Sequence, residues 1–409
     1  MVSPVVGKTS AEPAGMLRNA TVRSFDELET LRPEWDAFIE GVGSDIYFTC
    51  DWLRVWWKHY GNGRRLVFVI IKGEDRIVAA LPFYVDRVRA GPLSISVARF
   101  IGSHSTVPVF TPPIEAGYER DTVRVLCSEL LETEQCDCVS LSPLSSVSRL
   151  NEGTLELCSD APNVTVARSA PLGPHTFFQL PDTLEGYLAS LTKKTRSNYR
   201  RDLKHLSAMG ELRSEMASPE DAERVFVSFV ALHDAQWSNQ GMAGHFGDWP
   251  ESEAFNLDLV KAFAPKGKLR ICALYLDQRP ISIQYGFVWG NVCYWRLPAR
   301  DTRPAFEALG LGRIGLVKLI EAMLAEGVRS IEAGPGHYDY KLRHGAEERP
   351  LRQLVFSQGS AMARLKTYML LAWSDLLNLA YYRIYFQRLR PRLGLPRRPL
   401  WRAWIRTRL

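Results

Sequence analysis

The chain has 409 residues, a formal net charge of +6, 46% hydrophobic and 23% charged residues, the make-up of an ordinary globular protein. Its length points to two domains plus extensions rather than one core. Its seven cysteines include no C-x-x-C pair, which excludes the usual zinc frameworks and a disulfide scaffold and points to a reducing, cytoplasmic setting. No stretch reaches the ~20 apolar residues of a membrane span.

Residues 1–20 lack a signal-peptide core and read as a disordered leader. The segment FDELETLRPEWDAFIE sets Leu28, Leu31, Trp35 and Phe38 close to a helical period. Asp51 opens a second, Trp-rich helix that Gly61 closes. Strands RLVFVIIKG and RIVAALPFYV follow across a short turn, then strand VARFIGS, helix DTVRVLCSELLET and strand CDCVSLSPL. An irregular loop region over 143–175 ends this first α/β unit, residues 21–175.

The second unit, residues 176–357, opens at Phe177–Leu180. Thr183 to Met209 reads as one long helical region with a basic middle, KKTRSNYRR. A helix from Pro219 to the Gly241 stop, a loop from Met242 to Pro250 and a helix from Glu251 to Phe263 come next. Three strands then run from Leu269 to Leu297, joined by tight turns at Asp277-Gln278 and Gly290-Asn291. A helix from Gly312 to Glu326 and a strand RSIEAG complete the unit. The order of helices and strands is similar in both units, which suggests an internal repeat.

Residues 358–409 hold a long apolar, aromatic helix followed by a tail with eight arginines from Arg388 onward and no acid. Two readings stand: a helix docked on the second unit, or an amphipathic element at a membrane surface. The rest of the chain is near neutral.

Two motifs carry chemistry. Gly310, Gly312 and Gly315 form G-x-G-x-x-G at a helix start, but a loop of about a dozen residues separates them from the preceding strand, unlike a dinucleotide-binding turn. Unencumbered amides at a helix N-terminus can instead cradle a pyrophosphate, with Arg303 and Arg313 adding charge; the alternative is close helix–strand packing. The second motif, Glu332 to Gly345 (EAGPGHYDYKLRHG), concentrates glycine, tyrosine and basic residues after a strand.

Together these segments resemble the GNAT superfamily of acyl-CoA-dependent acyltransferases, in the two-lobed branch related to CelD of cellulose biosynthesis and to the FemAB proteins. The superfamily loop Q/R-x-x-G-x-G/A aligns with Glu307 to Gly312. The branch pattern D-F-x-x-G-x-x-x-Y-K-x-R-x-G aligns with Glu332, Ala333, Gly336, Tyr340, Lys341, Arg343 and Gly345. His233, Trp237 and Gly241 match H-x-x-x-W before a glycine. Lys194, Arg196, Arg200 and Arg201 echo a basic helix. Trp52, Trp56 and Ala79 to Pro82 match the N-terminal segments.

The resemblance implies an α/β (α+β) fold of two tandem GNAT-like lobes, each a mixed, mostly antiparallel sheet flanked by helices, with the C-terminal amphipathic helix appended. It implies acetyl-CoA or another acyl-CoA as co-substrate, no metal, and N- or O-transfer to a cell-envelope or exopolysaccharide precursor. Acyl transfer needs an oxyanion donor, a base and a proton for the leaving thiolate. Tyr340 is the candidate general acid, and Lys341 would polarise the acceptor or pair with Glu332. Glu332 and His233 are candidate bases. Backbone amides at Gln284, Tyr285 and Gly286 would supply the oxyanion donor, and Arg303, Gly310, Gly312 and Arg313 would hold the cofactor. Trp237, Arg196, Asp339 and Arg343 are candidate acceptor contacts. The acceptor would be a small molecule or a saccharide or lipid-linked precursor, and nucleic acid is disfavoured because the basic helix carries one aromatic only. Two alternatives are a FemAB-like aminoacyl transferase and a non-catalytic accessory protein of polysaccharide synthesis at the inner face of the cytoplasmic membrane.

Overall fold

The computed structural model describes residues 17–90, 93–103, 107–150, 164–239, 244–248, 251–395 and 400–408. Its β-branched and aromatic runs form β1 (Arg18–Val22), β2 (Arg65–Gly73), β3 (Arg76–Ala90), β4 (Leu93–Phe100), β5 (Cys138–Ser145) and β6 (Val164–Gln179). The later strands are β7 (Leu212–Met216), β8 (Leu269–Leu276), β9 (Arg279–Trp289), β10 (Val292–Arg300), β11 (Ser330–Pro335) and β12 (Ala346–Gln358). All twelve join in one sheet, in the order β1-β2-β3-β4-β5-β12-β6-β11-β10-β9-β8-β7.

Counted inward from either edge, the pattern is the same. Three antiparallel pairings lead to one parallel pair, β4 with β5 or β10 with β11, and then to an antiparallel sixth strand. The sixth strands are exchanged between the halves. β6 follows β5 in the chain but lies against β11, and β12 follows β11 but lies against β5. β6 and β12 pair with each other over most of their lengths and so weld the two lobes into a continuous sheet.

Each lobe inserts its helices at corresponding points. α1 (Phe25–Gly41) and α2 (Cys50–Tyr60) stand between β1 and β2, while α3 (Glu119–Leu126) crosses from β4 to β5. After β6 come α4 (Leu184–Ser190) and α5 (Lys193–Met209). α6 (Ala222–Ser238), α7 (Gly244–Asp248) and α8 (Ser252–Phe263) lie between β7 and β8, and α9 (Leu311–Ala325) crosses from β10 to β11. α10 (Asp339–Arg343) precedes β12, and α11 (Ala361–Leu376) follows it. Parallel neighbours require such crossovers, whereas the hairpins need two residues. Glu74-Asp75 and Asp277-Gln278 all take positive φ, between 48° and 63°, as tight hairpin turns demand.

The core is continuous between lobes. Trp52 of α2 packs edge-on to Phe255 of α8 and Phe287 of β9, with centroids at 6.1 and 5.4 Å. Tyr47 meets Tyr294 of β10 at 5.3 Å.

Several local expectations are corrected. β1 begins at Arg18, inside the expected leader, and residues 1–16 lie outside the described ones, as do Gly241 and Cys158. The region expected to be irregular to residue 175 holds β6 from Val164. The long helix from Thr183 is two, because Leu191 and Thr192 are extended (ψ 154° and 149°) and Thr192 caps α5 through Thr195 N. β7 and β12 gave no recognised strand signal.

Candidate active site

β10 and β11 pair in parallel over three residues, ending at Tyr294 opposite Glu332. Beyond that point they diverge. β10 carries a bulge between Trp295 and Leu297, which bends the strand and re-aims Arg296. β11 shifts register against β6 between Glu332 and Pro335. A cavity of about 1400 Å³ fills the gap, walled by Trp295 to Arg300 on one side and Glu332 to Pro335 on the other. From Trp295 onward the β11-facing edge of β10 has no strand partner. On it the Arg300 amide donates to Gln236 Oε1 at 3.0 Å and Pro298 carries no N–H, so any amide open to a ligand lies before Pro298.

At the apex sit Glu332 and Lys341, each 6% exposed. Glu332 Oε1 accepts from His175 Nε2 at 2.5 Å and from the Gly334 amide at 2.7 Å, and Oε2 accepts from the Tyr47 hydroxyl at 2.9 Å. Burial alone would raise this carboxyl; the His175 charge and these hydrogen bonds outweigh it and hold Glu332 below the usual range. Lys341 does not pair with Glu332. Its Nζ donates to the Ala333 carbonyl and to Thr176 Oγ1 at 3.3 Å, and lies 4.5 Å from the Tyr338 ring centroid. Burial brings its pKa down to about 8, against the opposing pull of Glu332. Tyr340 also lines the cavity but is 40% exposed, and burial pushes its hydroxyl up to about 12, making it the weaker acid.

His344 completes the group. The Tyr340 carbonyl can only accept, so the 2.5 Å contact at Nδ1 places the proton there. Nε2 is then the ring's lone pair, buried and without a partner among the described residues. Burial lowers the pKa of this imidazole; the Tyr340 carbonyl opposes the shift, while Arg313 and Arg343 reinforce it. A neutral base therefore stands on the cavity wall.

α9 begins at the same cavity. Gly310, Gly312 and Arg313 line it, with Lys194 and Arg300 nearby in the wall. Asp202 of α5, fully buried, reaches this helix start: Oδ2 accepts the Gly310 amide at 3.1 Å and pairs with Arg313, and Oδ1 accepts from Arg201 at 2.9 Å. Gly315 faces the sheet, where a Cβ would come within 2.3 Å of Ser282 Oγ; the third glycine serves close packing. Glu307 is exposed and outside the cavity wall.

The remaining candidates divide by position. Trp237 and Arg343 line the cavity. Gln284, Tyr285, Gly286, Arg303, Arg196, Asp339 and His233 do not. β9 is paired on both sides, with β8 and β10, so the amides expected as oxyanion donors are inside the ladder. Gln284 instead bonds Ser282 and Trp295, and Tyr285 is buried among Phe226, Phe229 and Phe287. Arg303 pairs with Asp301 at 2.7 Å, and Arg196 caps the carbonyls of Leu188, Ala189 and Leu191. Asp339 is exposed beside His337. His233 is wholly buried, accepts from Trp237 Nε1 at 2.9 Å and has its pKa lowered to about 3 by burial; it holds Trp237, which lines the cavity, while His233 itself does not.

Tyr47, His175, Thr176, Asp202 and His344 were not read from the sequence. The lone acid in the basic run ending RRD and the histidine inside YKLRHG were the available signals. Nothing local marks Tyr47 or His175.

Two parallel strands that part over a basic cavity, with a glycine-opened crossover helix at its rim, define the GNAT acyltransferase fold. Residues 193–342 match the family model described as an acetyltransferase (GNAT) domain. Among solved structures, the chain is similar to FemX, with a TM-score of 0.61 and 10% identity over 85% of this chain and 99% of that one. It is also similar to a conserved protein of unknown function from Bacteroides thetaiotaomicron VPI-5482, with a TM-score of 0.50 and 12% identity over 84% of this chain and 100% of that one. At these identities the likeness is one of fold. A search of curated proteins found no match.

Proposed function

We propose that the protein transfers an acyl group, with acetyl from acetyl-CoA as the leading case, to an amine or hydroxyl of an anionic cell-envelope or exopolysaccharide precursor. One observation carries this reading: the splayed β10–β11 edge, Lys341 and His344 converge on one cavity whose wall is strongly basic. Among the described residues, ten Lys and Arg side chains line it against two carboxylates, Glu332 and Asp375. The resemblance to the CelD-like branch supports the precursor class.

The residues present fit a phosphate-bearing donor. Gly312 is open, since an added Cβ would meet Arg300 alone, at 3.5 Å. Arg313 Nε is buried without a partner among the described residues. Lys194, Arg300, Arg313 and the Gly312 amide would hold the donor, which supplies the acyl group as a thioester. The chain's own groups then divide the work. The unpaired edge of β10 ahead of Pro298 would offer a backbone N–H to charge developing on the acyl oxygen, the Arg300 amide being held by Gln236. His344 Nε2 takes the proton of the attacking amine or hydroxyl. Lys341, with a pKa near the operating range, gives a proton to the departing thiolate. Glu332, saturated by His175, Tyr47 and Gly334, stays ionised and sustains the charge on Lys341.

Calorimetry of acetyl-CoA with wild type and Gly312→Glu tests the donor assignment. Binding abolished by the substitution is expected; a well-folded wild type that binds no acetyl-CoA overturns it. A second reading, aminoacyl transfer without CoA, is favoured by one feature, the occupation of the Gly310 amide by Asp202.

A further inference from the structure

The C-terminal helix has two unlike faces. Ala363, Thr367, Leu370, Leu371 and Ser374 are buried, and α11 packs by these against β12, β4 and β6. The opposite face exposes Met362, Leu365, Tyr368, Trp373 and Leu376, and the helix continues through a π-helical run, Leu377–Leu389, that exposes Leu379, Ile384 and Leu389. Twelve of the eighteen large hydrophobic side chains exposed among the described residues lie between Met362 and Leu400. A patch of this concentration is uncommon on a free soluble surface. The same segment, from Ala361 to Leu409, carries eleven Lys and Arg residues and one acid, Asp375. Arg364, Arg388 and Arg392 are exposed beside the apolar face. No helix among the described residues is long and apolar enough to cross a membrane.

We propose that this face lies on an anionic lipid bilayer, with its apolar residues in the interface and its arginines at the headgroups. Apolar burial and a polybasic flank are the two contributions that stable interfacial binding combines. A second copy of the chain fits less well, because self-association would bring two such basic segments together.

The same helix also walls the cavity. Ser374, Asp375, Asn378 and Arg383 line it, together with Arg99 of β4 and Arg168 of β6. β4 is five strands from β10 in the sheet, roughly 24 Å at the usual spacing. The cavity therefore runs from the α9 start to the edge of the docking face. On the acyltransfer reading above, which this consequence alone requires, the acceptor is an anionic headgroup carried by a membrane lipid.

The test is co-sedimentation of the full chain with vesicles of phosphatidylcholine alone and of phosphatidylcholine with phosphatidylglycerol. Wild type is expected to prefer the anionic vesicles by roughly tenfold or more. The double variant Leu365→Glu/Leu376→Glu, altered at exposed positions only, should lose that binding while keeping its circular dichroism and melting temperature. Acetyl-CoA calorimetry on the same variant should be unchanged, which separates failure of docking from failure of the acyltransfer reading. Equal sedimentation of wild type and variant, no binding by wild type, or a wild-type dimer that the variant dissolves would each overturn the proposal.

Discussion

Asp202 Oδ2 accepts the amide of Gly310 at 3.1 Å, across 108 residues of chain. A carboxylate of the protein thus sits on the first amide of the helix start where a donor phosphate would be welcomed. Burial alone would raise this carboxyl, but Arg201, the Gly310 amide and Arg313 together hold it below the usual carboxylate range. It is therefore an anion at neutral pH. Asp202→Asn keeps an acceptor for Gly310 and removes the charge, so acetyl-CoA should bind about tenfold more tightly by calorimetry. Unchanged affinity would mean that the donor does not approach this amide. Asp202→Ala should cost about 3 kcal/mol in urea denaturation, since it strands Arg313.

Lys341 must be protonated to serve the leaving group. Thiol release from acetyl-CoA should therefore fall as pH rises through about 8, the value burial sets for this amine. Lys341→Met should lower the rate at pH 7 by about a hundredfold and remove that limb. The folded value lies below the unfolded one near 10.4. Wild type should accordingly gain stability relative to Lys341→Met as pH rises from about 8 to about 10.4, where the unfolded chain binds more protons. A pH-independent difference in stability would count against a buried, titrating lysine.

His344→Gln keeps a polar side chain and removes the basic nitrogen. Transfer should fall by about a hundredfold, with little change in acetyl-CoA affinity. Because the imidazole is held below its ordinary value, the wild-type rate should stay level when pH is lowered to about 6.5. An acid limb above that value, or a fully active His344→Gln, would remove this residue from the mechanism.

Glu332 is held ionised by His175, Tyr47 and Gly334. With a folded value below the unfolded one near 4.3, its stabilisation is present above about pH 4.3 and lost as pH falls through the folded value. Glu332→Gln should cost roughly 2 kcal/mol at pH 7 and progressively less in acid, as measured by denaturation at a series of pH values. An equal cost at every pH would show that charge at this site does not matter.

Gly315→Ala should destabilise the chain by about 1–3 kcal/mol, because the new methyl meets Ser282 Oγ and Gln284 Nε2, both held by other hydrogen bonds. Acetyl-CoA affinity of the folded fraction should be unchanged. A large loss of affinity with full stability would return this glycine to the phosphate cradle.

The hairpins at Asp277-Gln278 and Gly290-Asn291, the helices expected from Pro219 and Gly312, which begin at Ala222 and Leu311, and the motif from Glu332 to Gly345 were legible because each depends on neighbours within a few residues. Periodicity, turn chemistry and caps are local. The exchange of β6 and β12 was not legible, since it is set by pairings between strands far apart in the chain. The same holds for the site. That Lys341 and Tyr340 belong together follows from adjacency in the chain. That Tyr47 holds Glu332 from 285 residues away, that Asp202 occupies the α9 start, and that the amides of β9 are already paired are matters of register and packing. A sequence names the groups able to do chemistry. Which of them are buried, paired or left facing a cavity depends on contacts between distant segments, and the burial and charge those contacts impose set each group's protonation.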